Sequence, residues 1–122
     1  MTDVTGFGLL GHLTEMCEGS GLSAEIEFDK VPVIASLPGY LAQKCFPGGT
    51  QRNWNSYGDK IGPLTDEQRY TLADPQTSGG LLVAVADENC ADFEATLKEK
   101  GFAFKPFGRL KPQDGGPLIT VI

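Results

Sequence analysis

Between residues 6 and 29 the apolar pattern changes period. Leu9, Leu10, Leu13, Met16 and Cys17 recur at helical spacing and make one apolar face, which predicts a helix over 6–18. Gly19 and Gly21 are placed to stop it. Ala24, Ile26 and Phe28 then alternate with Glu25, Glu27 and Asp29, which predicts a half-buried strand over 24–29 with an acidic solvent face. An apolar helix stripe and an apolar strand face both need cover, which points to helices layered on a sheet.

The rest of the chain fits that frame. Val31 to Ile34 extends the strand weakly around Pro32, and Leu37 to Lys44 is a short helix with Pro38 in its first turn. Phe46 to Leu64 reads as a long irregular stretch rich in Gly, Asn and aromatics, a kind of loop that is often functional. Thr65 opens the next helix, Gln68 completes a capping-box pattern, and Pro75 closes it. Leu81 to Ala86 is a continuous apolar run, expected as a central strand buried on both faces. Asp87 caps a helix over 88–100 with a buried stripe of Cys90, Phe93 and Leu97, ended by Gly101. Phe102 to Leu110 and Leu118 to Ile122 are strands joined through Gly115-Gly116. The expected fold class is α/β (α+β), one domain over 1–122, with helices covering a sheet of about four strands. The β-α-β portion at 81–110 resembles half of a ferredoxin-like unit.

Composition limits the function. Acidic residues outnumber basic ones by 16 to 10, a formal charge of −6, which argues against a domain built to grip nucleic acid. No apolar run nears the roughly 20 residues that span a bilayer, and no signal-peptide pattern is present. A cytoplasmic location is the expectation. Cys17, Cys45 and Cys90 form no C-x-x-C pair, so a structural zinc site is not expected. Cys17 and Cys90 lie on the apolar faces of predicted helices and read as small buried hydrophobes. Met1-Thr2 runs straight into a dense motif, which suggests a piece of a longer chain.

Three segments carry chemistry. Asp3-Val4-Thr5-Gly6-Phe7-Gly8 puts a carboxylate and a hydroxyl before a glycine-punctuated helix start. Such a start offers free N–H groups to an anion, and a carboxylate beside it can hold Mg²⁺ near a phosphate. The competing reading is that Asp3 or Thr5 merely caps the helix. Asp74-Pro75-Gln76-Thr77-Ser78-Gly79-Gly80 leads into the Leu81 strand. It reads equally as an anion-facing loop or as a tight helix-to-strand turn. In Gly48-Gly49-Thr50-Gln51-Arg52-Asn53-Trp54-Asn55-Ser56-Tyr57, Arg52 can meet a phosphate while Trp54 and Tyr57 stack on a base. The alternative there is a lid or domain-contact loop held by its own aromatics. His12, the sole histidine, has no evident partner and reads as structural or surface. No nucleophile or general base stands out.

D-V-T-G-F-G-L-L-G-H at 3–12 and D-P-Q-T-S-G-G-L-L at 74–82, with G-G-T-Q-R-N at 48–53, resemble the C-terminal half of selenophosphate synthetases (selenide, water dikinases). That family belongs to the aminoimidazole ribonucleotide synthetase-like superfamily. The resemblance implies a three-layer α/β/α fold, partly ferredoxin-like. It also implies a parent that is an ATP-dependent phosphotransferase, making selenophosphate, AMP and phosphate from selenide, ATP and water for selenocysteine and selenouridine synthesis. The parent would be a cytoplasmic homodimer using Mg²⁺. Its absent N-terminal domain would carry the catalytic Cys or selenocysteine, the catalytic Lys and most ATP and metal ligands. Asp3 maps onto a family magnesium ligand, and Thr5, Gly6, Thr77, Ser78, Gly79 and Gly80 are expected to face substrate or phosphate. None of the three cysteines inherits the catalytic role. By itself the domain is expected to be an inactive monomer that meets neither nucleic acid nor membrane. The competing functions are another ATP-dependent member of the superfamily, or a stand-alone interaction domain using the acidic strand face.

Overall fold

The computed structural model describes residues 1–33, 48–76 and 79–122. The elements run β1 (Thr2–Asp3), α1 (Gly8–Ser20), β2 (Leu22–Ile26), α2 (Gly49–Tyr57), α3 (Asp66–Leu72), β3 (Leu81–Leu82), α4 (Cys90–Glu99), β4 (Gly108–Pro112) and β5 (Ile119–Val121). Short 3-10 turns follow β2 and α2 and precede α4. The mixed α/β class expected from the sequence is the one found. The helix expected over 37–44, Cys45, Thr77 and Ser78 all lie outside the described residues.

Helix α1 is the hub. It packs against β1, β2, β3, α2 and α3. Leu10 and Cys17 are fully buried, and Leu9, Leu13 and His12 nearly so. The apolar stripe read from the sequence is therefore the centre of the core. Gly21, at φ 72°, ends the helix by donating its N–H to the Cys17 carbonyl. Gly19 continues the helix rather than stopping it, because only one left-handed residue is needed to turn the chain. Burial pushes the Cys17 thiol up, and the Glu18 charge adds to the effect, so this cysteine is an inert hydrophobe.

The strands divide into two sheets. β2 is central in one, antiparallel to β4 from Leu22↔Pro112 to Ile26↔Gly108 and parallel to β5 from Ala24↔Ile119 to Ile26↔Val121. Ala24, Ile26 and Ile119 point into the core. The strand ends three residues before the alternation does, and Phe28 to Lys30 form a 3-10 turn. Two of the three outward carboxylates are ion-paired, while Asp29 is exposed. Arg109 and Lys111 approach Glu25 at 3.4 and 3.8 Å, and Lys30 pairs with Glu27.

β1 and β3 make the second sheet, antiparallel, with Thr2↔Leu82 and Asp3↔Leu81. The single sheet of about four strands is thus replaced, among the described residues, by five strands in two sheets. β3 and β4 lie in different sheets, so 81–110 does not form one β-α-β unit. The expected central strand over 81–86 stops after Leu82, because its partner β1 offers only two residues. Leu82 is buried while Leu81 is 62% exposed. The expected 102–110 strand begins only at Gly108.

Helix α3 is capped as its sequence requires. Thr65 Oγ1 accepts from the Gln68 N–H at 3.2 Å, and Gln68 Oε1 accepts from the Thr65 N–H at 3.0 Å. Helix α4 starts two residues later than expected, with Asn89 rather than Asp87 before it and no side-chain cap. Its stripe of Cys90, Phe93 and Leu97 is half-buried rather than buried. Leu10→Ala is expected to cost about 2–5 kcal/mol in urea unfolding, since it opens a cavity at the hub. Leu81→Ala should cost less than about 1 kcal/mol.

Candidate functional site

The two motif segments lie side by side. The Val4 N–H donates to the Gly80 carbonyl at 2.8 Å, and the Gly79 N–H donates to the Val4 carbonyl at 2.9 Å. The Gln76 N–H donates to the Thr5 carbonyl at 3.1 Å. With the β1–β3 pairing, these bonds set residues 2–5 against Gln76 and, antiparallel, against 79–82. Glycine is needed for this approach. A Cβ on Gly79 would overlap the Gln76 side chain and sit 2.9 Å from the Val4 carbonyl oxygen, and Gly80 has φ 91°.

The turn at Thr5–Phe7 is held from beneath by three buried side chains. The Thr5 N–H donates to His12 Nε2 at 3.1 Å. A backbone N–H only donates, so Nε2 is the bare, accepting nitrogen. The Thr5 hydroxyl lies 3.1 Å from the same nitrogen. His12 therefore has a partner that its sequence position did not reveal. The Asn53 amide donates to the Gly6 carbonyl at 2.8 Å and to the Ala73 carbonyl at 2.9 Å. The Tyr57 hydroxyl donates to the Phe7 carbonyl at 2.6 Å. Burial pushes the Tyr57 phenol well above its ordinary range, so it remains a donor.

Asn53 and Tyr57 come from the stretch expected to be irregular, which is instead helix α2. Its inward face is Thr50, Asn53 and Tyr57, a helical spacing written in polar residues. Apolar periodicity cannot register such a face, and the glycines at 48, 49 and 58 make the segment look like a loop. Tyr57 is committed to the Phe7 carbonyl, and half-buried Trp54 covers Gly58 and lies 5.9 Å from the Arg69 guanidinium. The aromatics thus order the segment rather than offering free faces to a base. Arg52 is exposed.

The capping reading of Asp3 and Thr5 does not hold. The residue before α1 is Phe7, no side chain caps the helix, and its first turn holds no acid. Gly8, at φ 75°, seats the helix start against Ala73 and Asp74, where a Cβ would lie 2.8 Å from the Ala73 carbonyl carbon and the Asp74 oxygen. The capping role is unavailable because the chain turns through Gly6–Gly8 before the helix begins. Asp3, Thr5, Gly6, Phe7, Gly79, Gly80 and Leu81 are all exposed. The Asp3 carboxylate has no hydrogen-bond or ion-pair partner among the described residues, and nothing lies within 4 Å of a Cβ placed on Gly6 or Gly80. The described residues contain no group of three His, Cys, Asp or Glu suited to a metal. An exposed, unpartnered carboxylate of this kind can supply one ligand to a cation that retains several waters.

Asp74 is the second notable carboxylate. Desolvation by burial raises its pKa above the ordinary aspartate range. The groove over β2 and β4, lined by Glu25, Glu27, Lys30, Pro106, Gly108 and Arg109, includes none of the motif residues.

With this geometry in hand, comparison with known proteins gives the class. Residues 1–119 match the family described as AIR synthase related protein, C-terminal domain, and the chain belongs to that family. Among individual proteins it is similar to the selenide, water dikinase of Pseudomonas putida, 58% identical over 110 residues that cover 90% of this chain and 32% of the relative. It is 51% identical over 122 residues to that of Aeromonas hydrophila, covering all of this chain and 35% of the relative. A Haemophilus influenzae protein of the same name is 50% identical over 122 residues, again 35% of its length. The chain thus spans about a third of the length of the curated relatives it matches. No helix of the described residues is long and apolar enough to cross a membrane.

Gly8→Ala should destabilise the chain by about 2 kcal/mol or more in denaturant unfolding, since it combines a left-handed residue with overlap on fixed backbone. Gly6→Ala meets open space and should change stability far less. For Asp74 the folded-state pKa is raised above the unfolded one. Its contribution to stability is full below the unfolded pKa and is lost as pH rises through the folded value. Asp74→Asn should therefore raise the melting temperature at pH 7, and the gain should vanish near about pH 3.5.

Proposed function

We propose that this chain is the C-terminal domain, residues 1–122, of a selenide, water dikinase, and that it supplies one wall of that enzyme's ATP site. The observation that carries the reading is the pairing of the two motif segments, which leaves the unpartnered Asp3 carboxylate on an exposed face beside Thr5, Gly6, Gly79 and Gly80. Asp3 is assigned as one magnesium ligand. Thr5, Gly6, Thr77, Ser78, Gly79 and Gly80 are assigned to face phosphate or the selenium species. Magnesium, when bound, offsets the charge of the transferring phosphate. The chain's own part is to present a carboxylate beside a preorganised, exposed turn.

ATP and selenide would be met jointly with an N-terminal domain that carries the nucleophile and the remaining ligands. The parent would be a cytoplasmic homodimer, and the isolated domain an inactive monomer. The similarity to three enzymes of that name at 50–58% identity supports this reading over another superfamily member. The interaction-domain reading loses part of its support, because Arg109, Lys111 and Lys30 pair with Glu25 and Glu27, while Asp29 of that face stays exposed.

Calorimetric titration of the isolated chain with Mg-ATP should show no micromolar binding. The full-length protein should release AMP and phosphate from ATP in the presence of selenide. Asp3→Ala in that protein is expected to cut turnover about 100-fold or more, beyond the roughly 10–100-fold typical of outer metal partners. Being exposed, it should change stability by less than about 0.5 kcal/mol. Normal turnover in Asp3→Ala would remove the assignment.

A further inference from the structure

We propose that His12, Asn53 and Tyr57 are positioning residues that clamp the Thr5–Phe7 turn from inside the domain and so set the working geometry of the exposed site face. The consequence for turnover rests on the dikinase reading; the clamp itself does not.

The three side chains take three successive backbone groups: the Thr5 N–H, the Gly6 carbonyl and the Phe7 carbonyl. All three are buried, at 7%, 8% and 6% exposure, while the Thr5, Gly6 and Phe7 they hold are exposed. His12 Nε2, Asn53 Nδ2 and the Tyr57 hydroxyl therefore meet the turn's backbone from the inside, leaving its outer side free for a ligand. None of the three can reach a substrate on the outer face without releasing its backbone partner. They come from two helices, α1 and α2, so the turn is fixed relative to both. Asn53 adds a second constraint. Its amide spends both protons, one on Gly6 and one on Ala73, which ties the first motif to the residue just before Asp74 in the second. Gly11 makes room for this arrangement. A Cβ there would lie 2.5 Å from the Phe7 Cβ and 3.0 Å from the Tyr57 ring. Without the clamp, the turn would be fixed only by its pairing with the second motif and by the Gly8 N–H to Thr5 carbonyl bond. A displacement of about 1 Å at a site of this kind costs on the order of 100-fold in rate.

The test uses the full-length protein with three variants. Tyr57→Phe deletes the hydroxyl and keeps the packed ring. His12→Leu deletes the acceptor for the Thr5 N–H, and His12→Gln restores an acceptor at nearly the same place. Amide hydrogen exchange is read over residues 5–8, and kcat and KM for Mg-ATP are measured in parallel. Loss of one hydrogen bond predicts exchange roughly 5- to 10-fold faster over the turn in Tyr57→Phe and His12→Leu. The same variants should lose about 10- to 100-fold in kcat with KM little changed, and His12→Gln should recover most of the loss in both readouts. Melting temperatures should fall by only about 2–4 °C. Wild-type exchange over 5–8 in both Tyr57→Phe and His12→Leu would overturn the proposal, as would a His12→Gln variant no better than His12→Leu. If the wild-type protein forms no AMP, the dikinase reading falls, and the exchange data still decide the clamp.

Discussion

Pairing of residues 2–5 with Gln76 and residues 79–82 is the constraint from which the site follows. It joins segments some 70 residues apart in the chain through backbone bonds of 2.8–3.1 Å and two strand pairs. Each such bond contributes only about 1 kcal/mol net, so pairing alone would not hold. It persists because Val4 and Leu82 are buried against α1, which places the pair on the hub of the core. Burial of the inner face leaves Asp3, Gly80 and Leu81 outward, where they are exposed.

Two kinds of force therefore divide the labour. Apolar burial around Leu10, Leu13, Cys17, Ile26, Leu72 and Ile119 fixes where the elements sit. Buried polar groups fix the local path of the backbone. His12, Asn53 and Tyr57 give directional bonds where the turn must hold one shape, and leaving such groups unpaired would cost more than the bonds contribute. Asp74 runs against this economy. It is a half-buried carboxylate whose charge is disfavoured by desolvation. Such a group lowers stability at neutral pH.

Much of this was legible in the sequence where apolar periodicity and cap chemistry speak. The α1 stripe, the β2 alternation, the Thr65–Gln68 capping box and β5 each follow from a local rule. Helix α2 was not legible, because its buried face is Thr50, Asn53 and Tyr57 and offers no apolar signal. The 81–86 run promised a long central strand, but strand length depends on a partner, and β1 supplies two residues. The motif residues were visible as a pattern, while their arrangement was not. Capping and ligand binding were both open for Asp3 until the Gly6–Gly8 turn separated it from the helix start. The partner of His12 was hidden for the same reason, since a bond to a backbone N–H seven residues away leaves no trace in composition.

The central claim is that the exposed face formed by the paired segments meets the metal–nucleotide complex. Substituting Mn²⁺ for Mg²⁺ in the full-length protein, with a non-hydrolysable ATP analogue, allows paramagnetic broadening of backbone resonances to locate the cation. Broadening centred on Asp3, Gly6 and Gly79–Leu81, with Glu25, Glu27 and Asp29 unaffected, is the predicted result. Broadening centred on the β2–β4 groove, or none anywhere in this domain, would contradict the account.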